Sequence, residues 1–374
     1  MQYMITNVVE QEKFSDEDWL IRFENKQTQH CALTALNTFD YYCQNQIGLN
    51  GKSKDTMITK YQTWFNQDKS DIRSICLSLD KFVRFMTKDH NDIIVFRKGE
   101  HERTFEKKTT KTIKLYFSFI KAYLRIAHGI KITTEDVKDY VRFPKVVKER
   151  RLPITPPTLK LLFGKCDPER RALYYVLISS GMRLGEGLSL KKENFHLDER
   201  PIRVSLRAVD TKTQESGDSY ISSEAYERVK PIIDRKGNDE YLFHSYSTIH
   251  RAVQNEVRYF TRLREKLGLL QKYPDSRRYI YNIHAFRAYF HTKASQLHGT
   301  EYANALDGHT GYLEQYHRLT EKEKGDKYLQ LEPELMIEST PIEANKTKDQ
   351  LITALQRKME KMEKSLKRMD LLDD

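Results

Sequence analysis

The sequence predicts a mainly α-helical protein whose second half is α+β, with a small antiparallel sheet among its helices. Apolar residues recur at helical spacing through the first 142 residues, alternate with polar residues over 202–221, and return to helical spacing until about residue 335. At roughly 100–200 residues per domain, the 374 residues correspond to about two domains.

A helical domain is predicted over residues 1–142. Ser15 and Asp18 stand three residues apart before an apolar run, the pattern of a helix N-cap. Apolar stripes at helical spacing follow in three more segments: Leu33, Leu36, Phe39 and Tyr42; Ile72, Ile75, Leu79, Phe82 and Phe85; and Ile113, Tyr116, Ile120, Tyr123 and Leu124. Four or more such helices with short connections make a small helical domain.

Positive charge concentrates where this domain ends. The chain has a net charge of +11, and residues 97–151 hold 16 Lys or Arg against 7 Asp or Glu. Residues 143–154 are rich in proline and basic residues, which predicts an extended linker. The charge indicates a nucleic-acid partner, and the basic residues predicted to follow a DNA backbone are Lys107, Lys108, Lys111, Lys114, Lys145, Lys148, Arg150 and Arg151.

A second domain is predicted over residues 155–340. Thr155 and Asp167 each precede a proline at the first helical position, which marks two helix starts. The second of these helices is almost wholly apolar from Leu173 to Ile178, so it should be buried until it ends at Gly181. A β-hairpin with its turn in Gln214–Asp218 follows, and its alternating residues are Ile202, Val204, Leu206, Tyr220 and Ile221.

Residues 341–374 form a third segment, with a short heptad pattern that runs from Ile352 to Met369. This pattern fits either a coiled coil or an amphipathic helix that docks on its own protein.

Several classes of protein are excluded. There is no apolar run of about 18 residues and no signal peptide, so no membrane association is expected. Four widely spaced cysteines make a disulfide framework unlikely and indicate a reducing cytoplasm. A metal site would need the histidines at 284, 291, 298 and 309 to converge, but no carboxylate or cysteine stands at ligand spacing and nearby arginines repel cations. Neither a metal ion nor a cofactor is expected.

Two arginines stand in settings that suit phosphate binding. Arg183 follows the break at Gly181 and has Glu186 three residues on, which predicts either a structural ion pair or a guanidinium held for phosphate oxygens. His284 and Arg287 share one helix face, which combines a phosphate-binding group with a proton-transfer group. His309, in the segment "DGH", is predicted to reach the same site.

The order of these residues resembles the tyrosine recombinase/integrase family. The resemblance lies in "SGMRLGEGLSL", "TKTQESGDSYISSEA", "HAFR" and "GHTGYLEQY", covers about residues 155–335, and is most similar to archaeal members. It implies that residues 155–340 form the catalytic domain and the helical domain before it binds DNA. By this resemblance, Arg183 and Arg287 clamp the scissile phosphate, Glu186 supports Arg183, and His309 contacts the phosphate. Lys212 protonates the leaving 5′-oxygen and His284 acts as acid/base. Tyr316 is the nucleophile.

The sequence departs from the family pattern at three places. Ala285 and Phe286 stand between His284 and Arg287, where the family usually has an acid and a leucine. Asp307 stands where the family usually has an apolar residue before the glycine. The interval from His309 to the tyrosine is short, so Tyr312 competes with Tyr316, and Tyr328 does so more remotely. "HRLT" after Tyr316 matches how the family continues after its nucleophile and favours that residue.

The resemblance implies a site-specific recombinase that acts as a tetramer on double-stranded DNA, as in integration or excision of a mobile element, and that is cytoplasmic and nucleoid-associated. Two alternatives remain from the sequence. One is a type IB-like topoisomerase, which uses similar residues without a specific site. The other is a DNA-binding relative that has lost activity, and the presence of all the expected site residues argues against it.

Overall fold

A computed structural model describes residues 14–47, 53–67, 71–95, 103–146, 150–211, 214–274, 278–308 and 319–338. The chain divides into two compact units, residues 1–148 and 149–374, and each unit has its own hydrophobic core. Among the described residues, no helix is both long enough and apolar enough to cross a bilayer. The predicted heptad segment, 352–369, lies outside the described residues.

The first unit is a helical domain with one small hairpin. Its helices are α1 (Asp16–Ile21), α2 (Lys26–Ile47), α3 (Ser53–Asn66), α4 (Ile72–Phe85), α5 (Thr110–His128) and α6 (Thr134–Tyr140), and its strands are β1 (His90–Val95) and β2 (Arg103–Phe105). The predicted cap is present at α1, where the Ser15 hydroxyl accepts from the Asp18 amide and the Asp18 carboxylate accepts from the Ser15 amide. Two orphan amides of the first turn are thereby satisfied.

The predicted stripes form most of the core of this unit. In α4, the predicted stripe residues Ile75, Leu79, Phe82 and Phe85 are buried. Phe82 packs edge-on against Phe39 of α2 at 5.2 Å between ring centroids. Leu33 was predicted on the α2 stripe, but its side chain is 41% exposed. The hairpin was not predicted, because β2 has only three residues, which are too few to show a two-residue alternation.

The second unit places eight helices and a three-stranded sheet among its described residues. The helices are α7 (Pro156–Gly164), α8 (Pro168–Ser180), α9 (Leu184–Leu188), α10 (Ser223–Arg235), α11 (Ile249–Lys266), α12 (His284–His298), α13 (Thr300–Asp307) and α14 (Glu321–Leu335). The strands β3 (Phe195–His196), β4 (Ile202–Leu206) and β5 (Gly217–Ile221) pair antiparallel in the order β3-β4-β5. The predicted fold class, mainly α with a small antiparallel sheet, is confirmed.

The predicted hairpin is present, but its turn was placed wrongly. Gly217 and Asp218 already pair with Leu206 and Ser205 in the β4–β5 ladder, so the connection runs over residues 207–216. Asp218 belongs to the strand because its carboxylate accepts a hydrogen bond from the Ser205 hydroxyl at 2.6 Å and pairs with the guanidinium of Arg203. Cross-strand partners thus override the turn preference of a polar Gly-Asp sequence.

Helix α8 is the central element of the second core. Asp167 caps it and Pro168 opens it, as predicted, and every residue from Ala172 to Ser180 is buried. The helix ends at Gly181, whose φ of +70° lies in the left-handed region that favours glycine. A β-carbon at this position would lie 2.3 Å from Cδ1 of Phe290 in α12. Glycine therefore allows both the chain reversal and the close packing of α12 against the end of α8.

Replacing this glycine is expected to destabilise the second unit strongly. Gly181→Ala places a side chain in left-handed backbone and pushes a β-carbon into Phe290, so the free energy of unfolding should fall by about 2–4 kcal/mol. Urea denaturation followed by circular dichroism measures this change. Gly164→Ala is the matched control, because a β-carbon there meets no atom within 4 Å. An unchanged urea midpoint for Gly181→Ala would contradict the packing described here.

Candidate active site

Arg183 is held at the start of α9 by the carboxylate of Glu186. The Glu186 side chain accepts from the Arg183 backbone amide at 2.7 Å and from Nη1 of the guanidinium at 2.8 Å. The carboxylate is almost fully buried, whereas the arginine side chain remains 25% exposed. Nη2 donates to the carbonyl oxygen of Gly308 at 3.3 Å. The predicted pair is therefore present, and it fixes a guanidinium that still reaches the surface of a cavity.

Arg287 lies one turn into α12 and is only 3% exposed. Its Nη1 donates to the carbonyl oxygen of Gly181 at 2.8 Å, and its Nη2 lies 3.4 Å from Oδ1 of Asp307. Burial lowers the pKa of the guanidinium, the Asp307 carboxylate acts against that shift, and the nearby Arg183 adds to it.

Both arginines line the same cavity, which has a volume of about 370 Å³. Thr211, Gly308 and Leu319 also line it, at the ends of the described segments next to residues 212–213 and 309–318. The predicted site residues Lys212, His309, Tyr312 and Tyr316 lie outside the described residues. Their roles stay predictions from the sequence.

His284, the other member of the predicted pair on α12, is the first residue of that helix and is exposed. It lines a second cavity of about 280 Å³ together with Arg183 and Arg287. The structure therefore brings together four of the predicted site residues, Arg183, Glu186, His284 and Arg287, around adjoining cavities.

Tyr328 is removed from the candidates for the nucleophile. Its side chain is fully buried, its hydroxyl donates to the carbonyl oxygen of Ser179 at 2.8 Å, and burial raises the pKa of the phenol well above its usual value. A phenol without access to solvent cannot reach a DNA phosphate.

His291 and His298, two of the histidines considered for a metal site, have different partners in the structure. Nδ1 of His291 lies 2.9 Å from Oδ2 of Asp307, the carboxylate that also contacts Arg287. His298 instead bonds the carbonyl oxygen of Lys327. In the part of the chain that the structure describes, no three His, Cys, Asp or Glu side chains form a group that could hold a metal ion.

Two functional candidates were not identified as such from the sequence. Asp307 was noted only as a departure from a family pattern. Arg264, on α11, lines the second cavity and is 5% exposed, with its guanidinium 3.5 Å from the ring centroid of Tyr279. The sequence signal for Arg264 was an arginine on the same helix face as the apolar residues Ala252, Phe260 and Leu263.

The predicted DNA-binding residues of the first unit stand near the N-terminus of α5 and at residue 145. Lys107, Lys111, Lys114 and Lys145 are exposed, and Lys108 is half-buried with its ammonium 4.6 Å from the ring centroid of Phe105. In the second unit, Arg150 and Arg151 are exposed, and Arg151 stacks on Tyr273 at 4.3 Å. Lys148 lies outside the described residues.

Three solved structures show what this fold is similar to. A lambda integrase (75–356) dimer bound to a COC′ core site has 14% identity, a TM-score of 0.51, and coverage of 82% of this chain and 96% of that chain. A lambda integrase tetramer bound to a Holliday junction has 14% identity, a TM-score of 0.50, and coverage of 82% and 77%. The Tn1549 transposon integrase with transposon right end DNA has 16% identity, a TM-score of 0.45, and coverage of 79% and 99%.

The two lambda integrase matches show a shared fold. No curated protein sequence matches the chain. The model of the phage integrase family matches residues 154–297, a segment that holds Arg183, Glu186, His284 and Arg287. The four residues gathered at the cavities thus lie inside the segment of the chain that matches the phage integrase family.

Proposed function

We propose that the protein cleaves and rejoins DNA strands at specific sites through a 3′-phosphotyrosine intermediate, with Tyr316 as the nucleophile. The observation that carries this proposal is the convergence of Arg183 and Arg287 on one cavity. Each guanidinium is fixed by a carboxylate and by a backbone carbonyl oxygen, so both are oriented before substrate arrives. Fixed cations aimed at developing negative charge are usually the largest single contribution to such catalysis.

A phosphodiester suits this pair of cations. The two non-bridging oxygens carry the negative charge that repels an anionic nucleophile, and that charge grows in the transition state. Guanidinium groups bind such oxygens in a bidentate manner, so they stabilise the transition state more than the ground state. Arg183, whose side chain is 25% exposed, and the buried Arg287 both line the cavity in which we propose that the phosphate binds.

The covalent step follows from the remaining residues. The phenolic oxygen of Tyr316 attacks phosphorus while its proton passes to His284 as base, the bond from phosphorus to the 5′-oxygen breaks, and Lys212 protonates that oxygen. His309 donates to a phosphate oxygen. The phosphotyrosine bond conserves the energy of the broken linkage, so the reverse attack by a 5′-hydroxyl rejoins DNA without ATP. Proton transfer by a positioned group accounts for about 10²–10⁴ in rate.

Double-stranded DNA is the proposed partner. We place the DNA-binding domain in residues 1–142, the basic linker in 143–154 and the catalytic domain in 155–340. Exchange between two duplexes needs four cleaved strands, so a homotetramer on DNA is expected. The lambda integrase tetramer bound to a Holliday junction is consistent with that assembly. Action on chromosomal or mobile-element DNA corresponds to a cytoplasmic, nucleoid-associated location.

A covalent trapping experiment tests the function. Duplexes that bind the protein are first selected from a random library. Each selected duplex is then synthesised as a set of substrates, in which a nick lies beside a different possible scissile phosphate. Cleavage next to a nick releases a short fragment, which prevents religation, and the protein–DNA adduct survives on a denaturing gel. We expect an adduct at one position of one sequence. Adducts at many sequences, with relaxation of any supercoiled plasmid, would indicate a type IB-like topoisomerase, and no adduct would indicate an inactive DNA-binding relative.

The lysines near the N-terminus of α5, Lys107, Lys108 and Lys111, form a basic face that gives a separate prediction on DNA affinity. Replacing Lys107, Lys108 and Lys111 by alanine should weaken DNA binding and reduce the slope of log K against log salt by about 2–3, because each lost phosphate contact removes about 0.9. Fluorescence anisotropy over a series of salt concentrations measures the slope. The control variant replaces the exposed Lys26, Lys60 and Lys131, which changes the net charge equally. Equal slopes for the two variants would show that the face has no specific contacts.

A further inference from the structure

Asp307 is the last residue of α13, and its carboxylate is completely buried beside the candidate site. Oδ1 lies 3.4 Å from Nη2 of Arg287, and Oδ2 lies 2.9 Å from Nδ1 of His291. A buried carboxylate is costly unless it is paired and hydrogen-bonded. The Arg287 side chain is also only 3% exposed. The two opposite charges therefore depend on each other within the interior.

The two arginines of the site have matching supports. Arg183 has the buried Glu186, which contacts it at 2.8 Å, and Arg287 has the buried Asp307. His291 is about one-third exposed and stands one helical turn after Arg287 on α12, so it reaches Asp307 from the solvent side. Its ring bonds one carboxylate oxygen while the other faces the guanidinium, which fixes the orientation of the carboxylate.

The turn at residues 307–308 also joins the two guanidiniums. The side chain of Asp307 contacts Arg287, and the carbonyl oxygen of the next residue, Gly308, accepts from Nη2 of Arg183 at 3.3 Å. Gly308 ends α13 in left-handed backbone, with φ of +67°. One dipeptide thus contacts both cations, so its position bears on the distance between them. That distance decides whether both can bind the oxygens of one phosphate.

We propose that Asp307 and His291 are positioning residues for DNA cleavage: Asp307 holds the guanidinium of Arg287 against the scissile phosphate, and His291 holds Asp307. This inference rests on the proposed function. Neither residue touches the reacting atoms in it, and both act through Arg287. The carboxylates of Asp307 and Glu186 both raise the pKa of the Arg287 guanidinium against the lowering by burial, with Asp307 the larger of the two.

The test is single-turnover cleavage of the nicked duplex at saturating protein. Asp307→Asn keeps the shape and removes the charge, and it should slow cleavage about 10–100-fold, the loss expected when a catalytic group is misplaced by about 1 Å. DNA affinity should change less than about threefold, because most of it comes from contacts outside this site. Glu301→Gln is the matched control, since Glu301 is an exposed acid on the same helix.

His291 provides a milder variant that keeps the test decisive if Asp307→Asn folds poorly. His291→Ala should slow cleavage about 3–10-fold, and His291→Asn should recover much of the rate, because its amide nitrogen can replace Nδ1 as a donor to Asp307. In an Arg287→Ala background, Asp307→Asn should cause no further loss, since residues that act as one unit are not additive.

The possible outcomes distinguish a failure of this inference from a failure of the proposed function. If wild-type protein forms no adduct with any nicked duplex, the proposed function fails. If wild-type protein cleaves and Asp307→Asn lowers thermal stability but cleaves at the wild-type rate when folded, the carboxylate has only a structural role and the inference is overturned. A further loss in the Arg287→Ala background would overturn it as well, because Asp307 would then act by another route.

Discussion

Tyr316→Phe is expected to bind the nicked duplex with wild-type affinity and to form no covalent adduct. The substitution removes one oxygen atom, the nucleophile that we propose, so no other contact with DNA should be lost and cleavage should fall below detection. Gel-shift titration measures affinity, and a denaturing gel of the same samples measures adduct. The expected change exceeds the effect of any cation in the site, because a missing cation slows the reaction whereas a missing nucleophile prevents it.

Tyr312→Phe is the matched control for this prediction. It makes the same chemical change four residues earlier in the same segment and should leave adduct formation within about threefold of wild type. The opposite result, with adduct lost in Tyr312→Phe and kept in Tyr316→Phe, would assign the nucleophile to Tyr312. Tyr328 needs no variant here, because its buried hydroxyl donates a hydrogen bond to the carbonyl oxygen of Ser179.

The sequence predicts those parts of the fold that local chemistry determines. The cap at Ser15 and Asp18, the proline that opens α8 and the left-handed glycine that ends it all depend on residues within one turn of each other, and all are present. The β4–β5 turn was placed wrongly because Asp218 accepts a hydrogen bond from Ser205 on the neighbouring strand and so belongs to β5. A pattern within one segment contains no information about a neighbouring strand.

The same distinction applies to the site. The Arg183–Glu186 pair is predictable because its members stand three residues apart on one helix start. The contact of Asp307 with Arg287 and His291 joins two helices, α12 and α13, and depends on how closely they pack. From the sequence, Asp307 was only an unexpected acid and His291 one of several histidines. The packing of α12 against α13 brings Asp307 into contact with both Arg287 and His291.

Arg183→Ala is expected to slow single-turnover cleavage about 10³-fold, which corresponds to about 4 kcal/mol of lost transition-state stabilisation. Binding should weaken far less, because one cation among many phosphate contacts contributes little to affinity. Arg183→Lys should recover only part of the rate. A lysine keeps the charge, but its ammonium lacks the planar fork that contacts Glu186 and the Gly308 carbonyl oxygen together.

The control for this prediction is Arg235→Ala, which removes an exposed arginine of α10 whose partner is Glu169. It should cleave at the wild-type rate. If Arg183→Lys also matched wild type, charge alone would suffice and the fixed geometry at α9 would be irrelevant to the reaction. A loss in Arg183→Lys close to that in Arg183→Ala would instead show that the orientation imposed by Glu186 matters as much as the charge, because the two guanidiniums must reach the oxygens of one phosphate from fixed directions.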